Sequence, residues 1–242
     1  MRALLGPVLV TGAKGTTGHR IVERLRLEGV EHRAASRTSE TRFNWLERET
    51  WKPALSGMRS VYLVPEGSPG PEAIEAFSKT AAELGVSIIV LISTREADYA
   101  GYERYLANED AMIEGGTGWT ILRPSWFNQN FLTQFDRDVR SGLLELPAGE
   151  GRDPFVDADD IAEVAFQALT MHGLEDKVYD LSGPDPLSFR EATERISALT
   201  GLTVRYNPIS EGAYADRLSS MGMLDDQALQ AALQFRPLEM GI

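Results

Sequence analysis

VLVTGAKGTTGHRIVERL, residues 8–25, is the stretch that decides the fold. A short apolar run leads into a turn that carries Gly12, Gly15 and Gly18, and an amphipathic helical pattern follows the turn. Such a turn needs residues without side chains, because backbone N–H groups must approach a diphosphate and the helix must pack closely on the strand. The stretch therefore predicts a dinucleotide-binding βαβ unit.

The second apolar run ends at Ser36 and Arg37, where a protein that binds unphosphorylated NAD normally carries an acidic side chain. A carboxylate would repel a 2′-phosphate, whereas a guanidinium pairs with it and stacks on adenine. The sequence thus favours NADP(H) as the cofactor. A solvated loop arginine is the alternative interpretation of Arg37.

Charge is unevenly distributed along the 242 residues, whose formal net charge is −12. Residues 1–42 hold eight Lys and Arg against four Asp and Glu, so the remainder is strongly acidic. This pattern suits a small polyanionic cofactor and disfavours nucleic acid, which needs a broad basic face. After Arg37, Lys14 is the second residue whose positive charge is expected to attract the phosphates of that cofactor.

The chain contains no cysteine, which excludes disulfides, thiolate metal sites and a cysteine nucleophile. Its composition is typical of a soluble globular protein, and no apolar run approaches the roughly 20 residues of a membrane-spanning helix. We therefore expect a cytoplasmic protein without a membrane partner. His19, His32 and His172 lie in unrelated segments, so no metal site is predicted.

Apolar runs alternate with helical patterns after the first unit, which is typical of a parallel sheet with helices on both faces. We predict an α/β fold, a Rossmann-type doubly wound parallel sheet with a small C-terminal substrate-covering subdomain. Residues 1–124 are expected to form the NADP-binding core. Residues 125–242 are expected to complete the sheet and form the substrate pocket within one compact unit, with Asp157, Asp159 and Asp160 capping a helix.

Ligands of such sheets bind beyond the carboxyl ends of the strands, so the residues at those ends are candidates for the site. The predicted cofactor contacts there are Val64, Pro65, Ser93, Thr94 and Pro124, with Glu66 next in the chain. Aromatic residues at the later strand ends predict a pocket for a flat substrate, formed by Tyr99, Tyr102, Tyr105, Trp126, Phe127, Phe131 and Phe155. Core packing is the alternative for each ring.

The chain resembles NmrA-like members of the atypical short-chain dehydrogenase/reductase group over almost its full length. The matching stretches are VLVTGAKGTTGHRIVERL, AASR, WTILRPSWFNQNF, PFVDADDIAEVAFQAL and LSGPDPLSFREATERI. FNWLERETWKPAL, followed by VYLVPEG, is similar to the ergot alkaloid biosynthesis reductases of the festuclavine synthase type. The narrower similarity implies reduction of a C=N bond in secondary metabolism.

The broader resemblance implies NADP binding, with Arg37 at the 2′-phosphate. At the diphosphate it implies Gly12, Lys14, Gly15, Thr16, Thr17 and Gly18. Members of this group usually continue with further helix beyond the point that Ile242 occupies. Part of a substrate-covering tail is therefore expected to be missing.

Carbonyl reductases of the short-chain group use a tyrosine whose pKa is lowered by a lysine four residues later. This sequence lacks that pair, since its lysines are at positions 14, 52, 79 and 177, and Tyr105 stands where many NmrA-like sequences place a lysine. An iminium ion accepts hydride without a proton donor. Aromatic faces and an acid such as Glu103 or Glu109 would stabilise that cation.

Three functions therefore remain open. We favour an NADPH-dependent reductase of imines or iminium ions, with Tyr105 and Trp126 beside the reacting atoms. An NADPH-dependent quinone or carbonyl reductase is the first alternative, and a non-catalytic NADP sensor that binds a partner protein, as NmrA does, is the second. We expect a small-molecule substrate, and a monomer or homodimer.

Overall fold

The computed structural model describes residues 6–65, 67, 69–99 and 101–239. Two residues that the sequence analysis singled out, Glu66 and Ile242, lie outside the described residues. The strands are β1 Val8–Val10, β2 His32–Ser36, β3 Thr41–Arg42, β4 Ser60–Leu63, β5 Ile88–Ile92, β6 Gly118–Pro124, β7 Leu143–Leu146, β8 Arg152–Asp153, β9 Lys177–Leu181, β10 Leu187–Ser188 and β11 Arg205–Pro208.

The helices alternate with these strands in the first half of the chain and dominate its last quarter. They are α1 Gly18–Leu27, α2 Trp51–Leu55, α3 Pro71–Glu83, α4 Glu103–Glu114, α5 Asp136–Ser141, α6 Ala158–Thr170, α7 Phe189–Thr200, α8 Glu211–Ser220, α9 Asp225–Leu233 and α10 Arg236–Glu239. Short 3-10 turns cover Arg48–Thr50, Arg95–Asp98 and Asn128–Leu132.

Two compact units make up the chain. The first comprises Met1–Ser125 and Val156–Leu181, and the second comprises Trp126–Phe155 and Ser182–Ile242. The chain thus leaves the first unit one residue after the predicted boundary. The observed division differs from the predicted one at Val156–Leu181. This segment belongs to the first unit, because α6 packs there and β9 joins its sheet.

A seven-stranded parallel sheet forms the centre of the first unit, in the order β3-β2-β1-β4-β5-β6-β9. Val8 lies opposite His32 on one side and Ser60 on the other, so β1 is central. The order of the strands reverses between β1 and β4, and such a switch point opens a crevice at the carboxyl ends of the strands. The predicted doubly wound Rossmann-type fold is confirmed.

The two faces of this sheet bury separate cores, because successive side chains of a strand point to opposite faces. In β1, Val8 and Val10 belong to a core that contains Ile21 of α1 and Ala165 of α6. Leu9, between them, belongs to the other core, which α2, α3 and α4 cover. The apolar residues of β1 are therefore buried on both sides, as parallel strands require.

Asp157 begins α6 as a side-chain cap, which agrees with the sequence-based expectation. Its carboxylate accepts the backbone N–H of Asp159 at 2.8 Å. Asp159 in turn lies 2.7 Å from the guanidinium of Arg20 in α1. Asp157 thus starts α6 and Asp159 joins it to α1.

The second unit has its own aromatic core and two small sheets. Strands β8 and β10 pair antiparallel, whereas β7 and β11 pair in parallel. The rings of Phe135, Phe189 and Phe235 are almost completely buried in its core. Helix α7 starts with a reciprocal capping box between Ser188 and Glu191, which fixes its first turn.

Candidate functional site

The turn between β1 and α1 brings backbone atoms closer together than side chains would allow. Gly12 has φ +59°, a left-handed conformation, and a Cβ at this position would lie 3.1 Å from Val64. A Cβ on Gly18 would lie only 2.2 Å from the carbonyl oxygen of Gly12. Gly15 is less restricted, with 3.2 Å to the same oxygen. The predicted close packing of helix on strand is present.

This turn leaves hydrogen-bond donors available at the start of α1. Within the described part of the chain, the backbone N–H groups of Lys14, Thr16 and Thr17 donate to no protein acceptor. Thr17 does not cap the helix with its side chain, because its hydroxyl accepts the phenol proton of Tyr62 at 2.8 Å. Unpaired donors at a positive helix end are suited to an anionic group such as a diphosphate.

A cavity of about 460 Å³ lies beside this turn, at the carboxyl ends of β1, β2 and β4. Its volume falls in the usual range for small-molecule sites. It is lined by Gly12, Ser36, Arg37, Phe43, Asn44, Trp45, Leu46, Val64, Gly67, Pro69, Gly70 and Ala73. Four predicted cofactor residues, Gly12, Ser36, Arg37 and Val64, are thus brought together by the fold.

The side chain of Lys14 crosses from the glycine turn to the turn that follows β2. Its ammonium donates to the hydroxyl of Thr38 at 2.8 Å and to the carbonyl oxygen of the same residue at 3.2 Å. Thr38 directly follows Arg37, so a second positive charge lies near the arginine. Ser36 shapes this turn, since its hydroxyl lies 2.6 Å from that of Ser39 and accepts the N–H of Thr38.

Aromatic residues form one wall of the cavity. The ring of Phe43 packs edge-on against Trp45 with 5.2 Å between their centroids. The indole N–H of Trp45 donates to the carbonyl oxygen of Val64 at 3.0 Å, which fixes the ring beside the end of β4. Trp51 and Phe77 pack behind these two rings. A rigid apolar wall of this kind can support a flat heterocycle such as adenine.

A buried ion-pair network lies at the carboxyl ends of β5 and β6. Arg123 donates to both carboxylate oxygens of Glu109, at 3.0 and 2.6 Å, and to Asp98 at 2.7 Å. Ser93 donates its hydroxyl to Glu109 at 2.5 Å. These bonds hold the pKa of Arg123 well above its ordinary value, mainly through Glu109. Glu109 is therefore occupied by an internal cation and a hydroxyl, which argues against its predicted role beside a substrate cation.

The tyrosines of this region lie at the start of α4. Tyr102 and Tyr105 stack with 5.7 Å between ring centroids. The guanidinium carbon of Arg104 lies 4.9 Å from the centre of the Tyr105 ring, and the same side chain donates to the Tyr105 hydroxyl at 3.2 Å. Burial, followed by the charge of Glu96, raises the pKa of Tyr102 well above the ordinary phenol value. The backbone of Tyr102 bonds that of half-buried Tyr99.

The remaining predicted aromatic residues belong to the second unit. Trp126 packs against its core, 4.8 Å from the ring centroid of Phe235, while Phe127 stays half-exposed. Phe131 and Phe155 are each only 6% exposed, and their centroids lie 5.5 Å apart. Close packing leaves so little of these two rings accessible that we replace their predicted substrate role with a core role.

Sequence reasoning missed Glu96, a buried carboxylate in the 3-10 turn after β5. Its sequence context contains no motif, so nothing in the pattern distinguishes it from a solvated loop acid. Sequence reasoning also missed Thr38 and the wall formed by Trp45, although FNW was noted as part of a resemblance. Pro65, Thr94 and Pro124 lie at the predicted strand ends.

In the stretches that the structure describes, no three His, Cys, Asp or Glu side chains are arranged to hold a metal ion. Among those stretches there is also no helix with the length and hydropathy to cross a membrane.

Comparisons with known proteins extend over nearly the whole chain. An uncharacterized oxidoreductase, YesF of Bacillus subtilis, is 36% identical over 234 residues, which cover 92% of this chain and 81% of that protein. Festuclavine synthase II of Penicillium roqueforti is 30% identical, covering 87% and 80%. An NAD(P)H azoreductase of Xenophilus azovorans is 31% identical, covering 91% and 83%.

Solved structures with a similar fold include an NADPH-dependent quinone oxidoreductase of Escherichia coli in complex with NADPH. The two chains superpose with a TM-score of 0.83 at 23% identity, covering 97% of this chain and 89% of the other. No family model matches the sequence.

Proposed function

The chain belongs to the NmrA-like group of atypical short-chain dehydrogenases/reductases, and from this premise we propose that it is an NADPH-dependent reductase of C=N bonds. The relatives above include oxidoreductases that are named for NAD(P)H or for alkaloid synthesis. The substrate is a small cyclic or aromatic imine, and its reactive form is the iminium cation.

The residues at the first strand ends fit the proposed cofactor. The contact between Gly18 and Gly12 leaves no room for a Cβ, and the N–H groups of Lys14, Thr16 and Thr17, which donate to no described protein acceptor, would bind the diphosphate. Arg37 pairs with the 2′-phosphate, and the aromatic wall of the cavity supports the adenine. NADPH, when bound, supplies the hydride.

One observation carries the choice of C=N over C=O, namely that the described residues at the ends of β5 and β6 contain no tyrosine with a lysine four residues later. The hydroxyl of Ser93 donates to Glu109, and Tyr105 faces Arg104 instead of a lysine. Burial makes the phenol of Tyr102 a weaker acid, because its pKa is raised. A developing alkoxide would therefore lack the tyrosine–lysine donor that carbonyl reductases of the short-chain group use.

An iminium ion requires no such donor. Hydride adds to the carbon of C=N⁺, the π electrons move to nitrogen, and a neutral amine results without proton transfer. The protein must hold the iminium carbon beside the nicotinamide of the cofactor. It must also supply an electrostatic environment that stabilises the cation better than water does. The acidic net charge of the chain and the aromatic rings of Tyr102 and Tyr105 are consistent with that requirement.

The test follows the loss of absorbance of reduced cofactor when the purified chain is mixed with NADPH and a matched set of acceptors. The set contains an N-methyl dihydroisoquinolinium salt, the parent cyclic imine, a quinone and an aryl ketone, each with an enzyme-free blank. We expect turnover of the iminium salt and the imine to exceed that of the ketone.

Two other results would replace this function. Turnover of quinone and ketone without turnover of either C=N substrate would assign the chain to quinone or carbonyl reduction. Tight NADPH binding by calorimetry, with no turnover of any acceptor and retention of a specific partner protein in a pull-down, would assign it to cofactor sensing.

A further inference from the structure

We propose that Glu96 and the stacked pair of Tyr102 and Tyr105 form a recognition site for a flat, positively charged substrate. This inference rests on the proposed function and names the residues that would select the cation. None of the motifs in the sequence points to Glu96. Its assignment comes from its burial, its partners and its position at a strand end.

Glu96 is a buried carboxylate that forms no ion pair within the described part of the chain. Its side chain is 8% exposed, and one carboxylate oxygen accepts the hydroxyl proton of Thr94. Among the described residues, no lysine or arginine forms an ion pair with it. Buried carboxylates are normally paired, since removing the charge from water is costly, and nearby Glu109 follows that rule with Arg123. The exception at Glu96 suits a site whose counterion arrives with the ligand.

The tyrosine pair supplies a second component of the site. Aromatic faces attract cations, and the guanidinium of Arg104, over the ring of Tyr105, already uses one face in this way. The rings of Tyr102 and Tyr105 are inclined by 25° and form one stack, which places an aromatic surface at the start of α4. A delocalised cation such as an aromatic iminium can stack on such a surface, whereas a compact ammonium would be better hydrated in water.

The acid and the rings occur in one segment of the first unit. Glu96 lies in the 3-10 turn that follows β5, and Tyr102 precedes α4 by one residue. The carboxyl end of β5 is where a doubly wound sheet binds its ligands. The negative charge of Glu96 also contributes to raising the pKa of Tyr102, so its field extends to the phenol.

The other acids of this segment are less suited to the role. Glu109 is held by Arg123 and Ser93. Glu103 is exposed, and its carboxylate accepts the backbone N–H of Gly101 at 3.0 Å. Solvent screens an exposed charge strongly, whereas a buried one acts at higher effective strength. Glu96 therefore replaces the two acids that the sequence analysis had suggested.

The first experiment compares Glu96→Gln with the wild-type chain on the N-methyl dihydroisoquinolinium salt and on a neutral quinone. We expect kcat/KM for the cation to fall on the order of tenfold, while the neutral acceptor and NADPH affinity change less than about twofold. Glu96→Asp should recover part of the loss. Asp110→Asn, which removes an exposed charge from α4, is the matched control and should resemble wild type.

Equal losses on both acceptors, or no loss on either, would overturn the assignment, and a cation-selective loss in Glu103→Gln would move it to that residue. If Glu96→Gln does not fold, Tyr102→Leu should give the same cation-selective loss, whereas Tyr102→Phe should not. A loss that is not selective in Tyr102→Leu would contradict the proposal.

A binding measurement separates this inference from the proposed reaction. Benzamidinium, a flat delocalised cation that does not accept hydride from NADPH, is titrated by calorimetry into wild type and Glu96→Gln in the presence of oxidised cofactor. Weaker binding to the variant, by on the order of tenfold, supports the cation site even if no acceptor is reduced. Equal binding to both proteins, or no binding to wild type, refutes the site regardless of catalytic activity.

Discussion

The ammonium of Lys14 lies 2.8 Å from the hydroxyl of Thr38, the residue that follows Arg37. This bond joins the glycine turn after β1 to the turn after β2. The two turns would bind the two phosphate groups of the adenosine ribose in NADP, the diphosphate at its 5′-oxygen and the phosphate at its 2′-oxygen. Lys14 thereby adds its charge to the region of Arg37, although the resemblance to NmrA-like proteins had placed it at the diphosphate.

Replacement of Arg37 by alanine should weaken NADPH binding by about 1–3 kcal/mol, the range for a lost charge-assisted contact. NADH affinity should hardly change, because NADH carries no 2′-phosphate. Calorimetric titration of both cofactors measures the two effects. Arg26→Ala, which removes an exposed arginine paired only with Glu23, is the control. Equal losses for NADPH and NADH would contradict the 2′-phosphate role.

Replacement of Lys14 by methionine should also lower NADPH affinity, by about 1 kcal/mol, because its exposed ammonium is screened by solvent. The remaining NADPH binding should depend less on salt than that of wild type, since one cation is gone. Titrations at two ionic strengths measure this. Lys79→Met removes an exposed lysine of α3 and should leave the salt dependence as it is.

Replacement of Gly18 by alanine should abolish NADPH binding, because the new Cβ would meet the carbonyl oxygen of Gly12 at 2.2 Å and push α1 away. The same displacement should lower the free energy of unfolding by roughly 1–3 kcal/mol. Gly29→Ala separates the two effects: its φ is +67° and no atom lies near the added Cβ. That variant should lose some stability and keep cofactor affinity. Retained NADPH binding in Gly18→Ala would contradict the proposed role of the glycine turn in binding the diphosphate.

The sequence predicted the sheet and its glycine turn well because both depend on local rules. Successive side chains of β1 point to opposite faces of the sheet, so Leu9 lies in one core and Val8 and Val10 lie in the other. A glycine is required at position 18 because the carbonyl oxygen of Gly12, six residues earlier, leaves no room for a Cβ. Completion of the sheet by the later part of the chain was predicted, but the bounds of the returning segment, Val156–Leu181, could not be derived from local rules. The return of this segment depends on the pairing of β9 with β6, which lie far apart in the chain.

The site was harder to predict than the fold, because pocket walls and cores use the same apolar residues. Phe131 and Phe155 follow the strands as pocket residues would, yet they pack in the core of the second unit. Glu96 and Glu109 are both buried acids, and only the structure reveals that Arg123 pairs with one of them. Ion-pair partners that lie on different elements, here Glu109 on α4 and Arg123 on β6, leave no local pattern in the sequence.

Replacement of Arg123 by methionine should lower the free energy of unfolding by about 3 kcal/mol, since it leaves the carboxylate of Glu109 buried without its cation. Urea denaturation measures the loss. The double variant Arg123→Met/Glu109→Leu should recover much of it, because no unpaired charge remains. Arg140→Met breaks an exposed pair with Asp136 and should leave the midpoint of urea denaturation close to that of wild type. A loss in Arg123→Met no larger than in this control would contradict the buried network.

Tyr105→Phe should leave kcat within about twofold of wild type on the iminium salt, because the ring face stays and no phenol proton is needed. The pH profile separates this from acid catalysis. Turnover of the N-methyl iminium salt should be flat between about pH 6 and pH 9, since its charge does not titrate and burial keeps Tyr102 protonated, its pKa being raised. Turnover of the parent imine should fall as pH rises, because the protonated fraction of the substrate falls. A collapse of kcat in Tyr105→Phe, together with an alkaline decline on the iminium salt, would identify the phenol as the acid that this mechanism excludes.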